Sequence, residues 1–147
     1  MSTVQVNEWK PSQSDLTAHE IVKRQFGMCC TQQDFFDDFY RDFTRQSPEI
    51  LAAFAHTDMQ QQKGVLQSGL TFLIMFASGS TYAGNKLDRL GQTHSRTGYN
   101  IRPQLYPLWV NSLVRTVQKH VVGFDRDAEQ AWRRVLELGV NRIRSAY

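Results

Sequence analysis

The sequence lacks several features that would define whole classes of protein. It has two cysteines, Cys29 and Cys30, which are adjacent and therefore provide neither a disulfide framework nor the spaced ligands of a zinc site. We expect buried or half-buried free thiols. The longest apolar stretch, residues 65–77, is too short and too interrupted by polar residues for a membrane helix, which requires roughly 18 apolar residues. Residues 1–10 are polar and lack the apolar segment of a secretory signal, so a cytoplasmic protein is the expectation.

The numbers of glycine and proline residues are also low, and the net charge is small. Nine glycines and four prolines among 147 residues exclude collagen-like and low-complexity chains. Seventeen basic residues against 14 acidic ones give a net charge of +3, and the basic residues are dispersed, which does not favour a nucleic-acid partner. We expect one globular domain over residues 1–147, with a polar lead-in at residues 1–15.

Helix start signals recur along the first half of the chain. In such a signal, a side-chain oxygen accepts a hydrogen bond from an otherwise unpaired amide of the first turn, and proline is tolerated as the first helical residue. Four signals are Thr17 with Glu20, Thr31 with Asp34, Ser47 with Pro48, and Thr57 with Gln60. They predict helices that begin near each of these positions.

The second half of the chain continues this pattern. Gly79 and Ser80 separate two helical segments, residues 98–102 form a predicted corner, Pro103 can start a further helix, and Asp125 caps the last one. No run of alternating apolar and polar residues indicates a strand. The predicted fold class is all-α, with about seven helices.

One of the four histidines stands out by its helical spacing. His94 shares a helix face with Leu87 and Leu90, so its imidazole should point in the same direction as the apolar side of that helix. We expect the other three histidines near helix ends or in a connection, among polar neighbours. Spacing alone leaves two interpretations of His94 open, a core histidine and a metal ligand.

A resemblance to a known family covers nearly the whole chain. It is carried by FYRDFTRQSPEILAAFAHTDMQQQKGVL at residues 39–66, LGQTHSRTGYNIRPQLYPLW at 90–109 and AWRRVLELGVNRI at 131–143. The chain resembles bacterial single-domain globins, which are related to the globin domain of flavohaemoglobins. The resemblance implies a globin fold of about seven helices stacked around haem b, iron protoporphyrin IX.

The same resemblance implies a role for individual residues. His94, in THSRTG, corresponds to the histidine that ligates the haem iron. Tyr40 and Gln62 correspond to the polar pair on the opposite, distal side. Phe54 corresponds to the phenylalanine that packs on the haem face.

Three apolar residues complete the implied site. Leu66, one turn after Gln62, would cover the open side of the iron, and Leu90 and Ile101 would contact the haem from the histidine side. The register of the distal amide leaves Gln61 as an alternative to Gln62.

Other residues near the implied site have two interpretations each. Arg96 and Arg102 are candidates to pair with haem propionates, or they serve only solubility. Tyr106, Trp109 and Trp132 are expected in the core or in a helix-packing surface. Tyr147 lies near where flavohaemoglobins place an acidic partner for the iron-ligating histidine, which argues against a strongly basic ligand here.

The function implied by the resemblance is reversible binding of dioxygen, or of nitric oxide or carbon monoxide, for oxygen binding, storage or transport. The same residues would also serve a nitric oxide dioxygenase, or a weak peroxidase. Because the chain has no G-x-G-x-x-G signature of a nucleotide-binding domain, a dioxygenase would need a separate reductase. A third alternative is a gas sensor or interaction module that acts as a homodimer.

Overall fold

The computed structural model describes residues 9–147, so the first eight residues of the polar lead-in predicted at 1–15 lie outside the described part of the chain, and its end is wrong because the first helix begins at Gln13. Within residues 9–147 there are seven α-helices, one 3₁₀ turn at Pro103–Leu105 and no strand. The all-α prediction is confirmed. The helices are α1 (Gln13–Cys30), α2 (Phe35–Arg45), α3 (Pro48–Ala53), α4 (Met59–Ala77), α5 (Thr81–His94), α6 (Tyr106–His120) and α7 (Arg126–Arg144). None of these helices is long and apolar enough to cross a membrane.

Two predicted helix caps, Ser47 and Asp125, are confirmed in atomic detail, and Ser80, predicted only to separate two helices, is a third cap. The Ser47 hydroxyl accepts a hydrogen bond from the amide of Ile50 at the start of α3, and the Ser80 hydroxyl accepts one from the amide of Ala83 at the start of α5. The Asp125 carboxylate accepts from the amide of Ala128 at the start of α7. Each cap pairs one amide that the first helical turn leaves without an intrahelical partner.

The predicted start of α1 is wrong by four residues. A complete capping box, in which Ser12 and Asp15 exchange hydrogen bonds, starts the helix at Gln13. Thr17 therefore lies inside the helix, where its hydroxyl donates to the Gln13 carbonyl. As a consequence His19 lies in the body of α1 and is buried, contrary to the prediction that it lies near a helix end.

Two further caps are displaced by a neighbouring residue. Thr31 ends α1 instead of starting α2, which begins at Phe35. Asp58, not Thr57, caps α4, and its carboxylate accepts from two successive amides. A carboxylate also interacts favourably with the positive end of the helix, which explains its preference over the adjacent hydroxyl.

The helices enclose a packed core and, beside it, a cleft. Helix α7 packs against α1, α4 and α5, and α2 packs against α6. The indole of Trp132 is fully buried in this packing and donates a 2.8 Å hydrogen bond to Gln25. Close contact between α4 and α7 occurs at Gly139, where an added Cβ would lie 1.9 Å from a methyl carbon of Leu73. Beside this packing the helices leave a cleft open, which is lined by residues from α2 through α7.

A polar cluster fixes α2 against α6. Nε2 of His120, the last residue of α6, lies 2.7 Å from the Asp38 carboxylate, and Nδ1 lies 2.5 Å from the Gln32 side-chain oxygen. The hydrogen bond from His120 is the main cause of the lowered pKa of Asp38. Since α2 carries Asp38 and Tyr40, this cluster also holds the helix that supplies one wall of the cleft.

The free thiols are as expected. Cys29 is buried and Cys30 half-buried, and neither forms a disulfide. Burial raises the pKa of the Cys29 thiol to about 12, and it also raises the pKa of Cys30.

Candidate functional site

A single apolar cleft brings together every site residue predicted from the sequence. Its empty volume is about 1010 Å³, part of which is open to solvent. The seven predicted residues in its lining are Tyr40, Phe54, Gln62, Leu66, Leu90, His94 and Ile101. The cleft is thus apolar with a few convergent polar groups, which is the usual composition of a cofactor site.

His94 lies at the end of α5, with one ring nitrogen already in use. Its Nδ1 is 2.9 Å from the carbonyl oxygen of Leu90 and 3.1 Å from the Thr93 hydroxyl. A carbonyl can only accept, so Nδ1 carries the proton and Nε2 keeps its lone pair. Burial lowers the pKa of His94 below its usual 6.5, against the opposing effect of the hydrogen bond to Leu90. The result is a neutral imidazole whose Nε2 has no partner among the described residues.

The corner after His94 is fixed by its own backbone. The amide of Ile101 donates a 2.9 Å hydrogen bond to the His94 carbonyl, which brings the Ile101 side chain back to the cleft. Gly98 makes this path possible, because an added Cβ would lie 2.2 Å from the Thr93 carbonyl oxygen. The corner extends from Ser95 to Ile101, so it begins three residues before the predicted range of 98–102, and the close approach at Gly98 leaves no room for a side chain there.

Tyr40 and Gln62 form a hydrogen-bonded pair between α2 and α4. The Gln62 amide nitrogen donates to the Tyr40 hydroxyl oxygen at 3.1 Å. Among the described residues the Tyr40 hydroxyl has one acceptor, the main-chain carbonyl oxygen of Gln62 at 3.4 Å, which is long for an O–H···O bond. The phenol therefore retains a proton that it can donate to a ligand in the cleft.

Burial keeps this phenol protonated. Tyr40 is 6% exposed, and burial raises its pKa to about 12, although the hydrogen bond from Gln62 acts in the opposite direction. Gln61, the alternative distal amide, is exposed and does not line the cleft. The structure thus brings Gln62, and not Gln61, to Tyr40.

Phe54 and Leu66 provide the apolar part of the same wall. Phe54 ends α3, and its ring lies edge-on to the rings of Tyr40 and Phe43, at centroid distances of 5.5 and 6.2 Å. Leu66 follows Gln62 by one helical turn and is 8% exposed. A helical spacing of four residues places Gln62 and Leu66 on one face of α4.

Arg96 and Arg102, the two candidates to pair with haem propionates, interact with other residues of the chain. Arg102 makes two hydrogen bonds to the Glu49 carboxylate, and the Arg96 guanidinium lies 4.7 Å from the ring centre of Tyr147. Neither arginine is among the residues that line the cleft.

Comparisons with known proteins identify the fold. The Globin family profile matches residues 37–143. The chain belongs to the globin family. A crystal structure of a Pseudomonas aeruginosa protein, described as structurally highly homologous to a human hemoglobin, is similar to this globin with 43% sequence identity and a TM-score of 0.86. The similarity covers 88% of this chain and 98% of that one. No curated protein matched the sequence.

The cleft residues of this globin fit a haem. No group of three or more His, Cys, Asp or Glu side chains in the described range could hold a metal ion by itself. His94 is a single metal-ligand candidate, and a single imidazole suits a metal whose other ligands would come from a porphyrin. The Leu90 carbonyl accepts a hydrogen bond from Nδ1 and so fixes the orientation of the His94 ring. Metal-ligating histidines usually have such a hydrogen-bond partner on their second ring nitrogen.

Part of the cleft wall was not predicted from the sequence. Tyr106 is buried in the core and Trp109 packs against it, as expected, but both also line the cleft with Val140 and Ile143 from α7. Trp132 is in the core as expected. The spacing of Tyr106 and Trp109 places both on one face of α6, but that pattern does not distinguish a wall of a cleft from ordinary core. Pro107 lies in the first turn of α6, where its missing N–H costs no intrahelical hydrogen bond.

Proposed function

We propose that this globin binds dioxygen reversibly at haem b, with His94 as the protein ligand to the iron, and that it serves oxygen binding, storage or transport. The observation that carries the proposal is one cleft with two chemically distinct sides. One side offers the unpaired Nε2 of a neutral His94, and the other offers the Tyr40–Gln62 donor pair.

Haem held by His94 would supply a metal that binds one diatomic ligand in the cleft. The protein residues set how tightly each ligand is held. Tyr40 donates its hydroxyl proton to the ligand, and the side-chain amide of Gln62 keeps the phenol oxygen in place. Leu66 and Phe54 keep water away from these donors, and a low local dielectric strengthens a hydrogen bond.

The donor pair favours dioxygen over carbon monoxide. Bound dioxygen carries partial negative charge and accepts hydrogen bonds, whereas carbon monoxide is far less polar. A direct donor such as Tyr40 contributes about 1–1.5 kcal/mol, or roughly tenfold in oxygen affinity, and Gln62, which orients the phenol, adds about three- to tenfold. The gain for carbon monoxide is much smaller.

The histidine side favours binding over oxygen activation. Nδ1 of His94 donates to a neutral carbonyl and not to a carboxylate, so the imidazole gains little additional basicity. A nitric oxide dioxygenase that works with a separate reductase uses the same distal pair and is the alternative. Sustained consumption of nitric oxide with a supplied reductase would favour the dioxygenase, and a single stoichiometric turnover favours the oxygen-binding protein.

The first experiment is an absorbance spectrum of the purified protein after addition of hemin. An intense Soret band, followed by reversible spectral change on cycling between oxygen and argon in the ferrous state, is the expected result. A protein that takes up no hemin, or whose ferrous spectrum does not respond to oxygen, contradicts the proposal.

We further propose that residues 1–147 act as one globin domain in the cytoplasm, as a monomer or a homodimer.

A further inference from the structure

Tyr147 contacts the corner that follows His94, although the two are far apart in sequence. The Tyr147 hydroxyl donates a 2.7 Å hydrogen bond to the side-chain oxygen of Asn100, and the Arg96 guanidinium lies over the Tyr147 ring. Tyr147 therefore engages the corner at two points, Arg96 near its start and Asn100 near its end. We call the contact of Tyr147 with these two residues the corner latch.

The corner held by the latch is bonded directly to the end of α5. The amides of Tyr99, Asn100 and Ile101 donate to the carbonyls of Thr93, Ser95 and His94, at 2.8, 2.9 and 2.9 Å. The ring of Tyr99 also lies edge-on to the His94 imidazole, with ring centres 6.3 Å apart. Any displacement of Asn100 is thus transmitted to the backbone of His94 through a short chain of hydrogen bonds.

The turn before Tyr147 contacts the same helix. A Cβ added to Gly91, three residues before His94, would lie 2.9 Å from the Ala146 Cβ and 2.9 Å from the Ile143 carbonyl oxygen. The end of α7 and the turn after it therefore abut α5 without room for a side chain. This contact and the latch fix α5 on two sides of His94.

Asn100 suits the corner latch through both its backbone and its side chain. Asn100 has φ of 52°, a left-handed conformation that asparagine adopts more readily than most residues. The same residue thus meets the backbone requirement of the corner and supplies the acceptor for Tyr147. Glycine can replace it without backbone strain, and this replacement removes only the acceptor.

We propose that Tyr147 is a positioning residue for His94, which holds the corner so that the imidazole and Ile101 keep their orientation in the cleft. The inference rests on the proposed function, because positioning matters only if His94 ligates iron. Tyr147 itself does not line the cleft, and it acts only through the corner.

The first test is amide hydrogen exchange, measured in the purified protein before and after addition of hemin. Tyr147→Phe and Asn100→Gly each remove the same hydrogen bond, which is worth about a factor of ten in local opening. We expect the protection of the Asn100 and Ile101 amides to fall about tenfold in each variant, and no further in the double variant. Ser145→Ala, in the same turn but bonded only to the Arg142 carbonyl, is the matched control and should leave both amides unchanged.

The second test is the iron–histidine stretching band in the resonance Raman spectrum of the ferrous protein. We expect the band to shift and broaden in Tyr147→Phe and Asn100→Gly but not in Ser145→Ala, with a faster loss of haem to an acceptor protein. Unchanged exchange of the corner amides, or an unchanged band in a variant that binds haem, overturns the inference. Failure of the wild-type protein to bind haem overturns the proposed function instead, and the exchange experiment still reports on the latch.

Discussion

The Gln62 side-chain nitrogen donates a hydrogen bond to the Tyr40 hydroxyl oxygen over 3.1 Å and so connects α4 with α2 across the cleft. The geometry gives the two residues unequal parts. Gln62 uses one N–H to orient the phenol, and Tyr40 keeps its own proton for a ligand because its one acceptor within residues 9–147, the Gln62 main-chain carbonyl, is 3.4 Å away. The two residues can therefore be tested separately.

Removal of the Tyr40 hydroxyl should speed the release of oxygen. In Tyr40→Phe the ligand loses its direct donor, and we expect the oxygen dissociation rate to rise at least tenfold, which is the loss of one good hydrogen bond. Stopped-flow displacement of oxygen by carbon monoxide measures this rate. The carbon monoxide dissociation rate of the same variant is the internal control and should change much less. An oxygen dissociation rate equal to that of the wild type would remove Tyr40 from the site.

Replacement of Gln62 should have a smaller effect in the same direction. Gln62→Leu leaves Tyr40 in place but removes the amide that orients it, so we expect the oxygen dissociation rate to rise by about three- to tenfold. Gln61→Leu, one residue away on the exposed side of α4, is the matched control and should leave the rate unchanged. A larger effect at Gln61 than at Gln62 would contradict the register of α4 in the site.

The Asp38–His120 contact should stabilise the fold in a pH-dependent way. The pKa of Asp38 is lowered in the folded protein, mainly by the hydrogen bond from His120. A lowered carboxyl pKa contributes stability above its usual value of 3.8, and this contribution is lost as the pH falls through the folded-state pKa. Asp38→Asn should reduce the free energy of unfolding at pH 7 by about 1–2 kcal/mol, and by less at lower pH.

Chemical denaturation at pH 7 and at pH 3 measures this difference. Asp37→Asn is the matched control, since Asp37 is more exposed and its ion pair with Lys63 should be worth less than about 1 kcal/mol. Equal losses for both variants at both pH values would show that the His120 contact contributes nothing specific.

Much of this arrangement could be predicted from the sequence, for identifiable reasons. Ser47 and Asp125 cap helices as predicted, because each is followed by residues that favour the first turn of a helix, Pro48 after Ser47 and the acidic Asp127 and Glu129 after Asp125. His94, Tyr40 and Gln62 were predicted from a resemblance that is spread over three segments. Their convergence on one cleft is a property of the fold and not of any single spacing.

The parts that were wrong or missed have a common physical cause. At Thr17, Thr31 and Thr57 a second capping residue lies within a few positions, and the choice depends on side-chain geometry that the sequence does not contain. Likewise, Tyr106 and Trp109 follow the same helical period as a core face. Only the packing of α6 against α2 and α7 shows that these two residues border a cleft.

The most direct test of the account is hemin binding by wild type, His94→Gly and His94→Gly with added imidazole. If His94 supplies the one protein ligand to the iron, the wild type shows an intense Soret band and a ferrous spectrum that responds reversibly to oxygen. The variant should lose this spectrum, and free imidazole should restore it by occupying the vacated space. A His94→Gly spectrum identical to that of the wild type without imidazole would contradict the account.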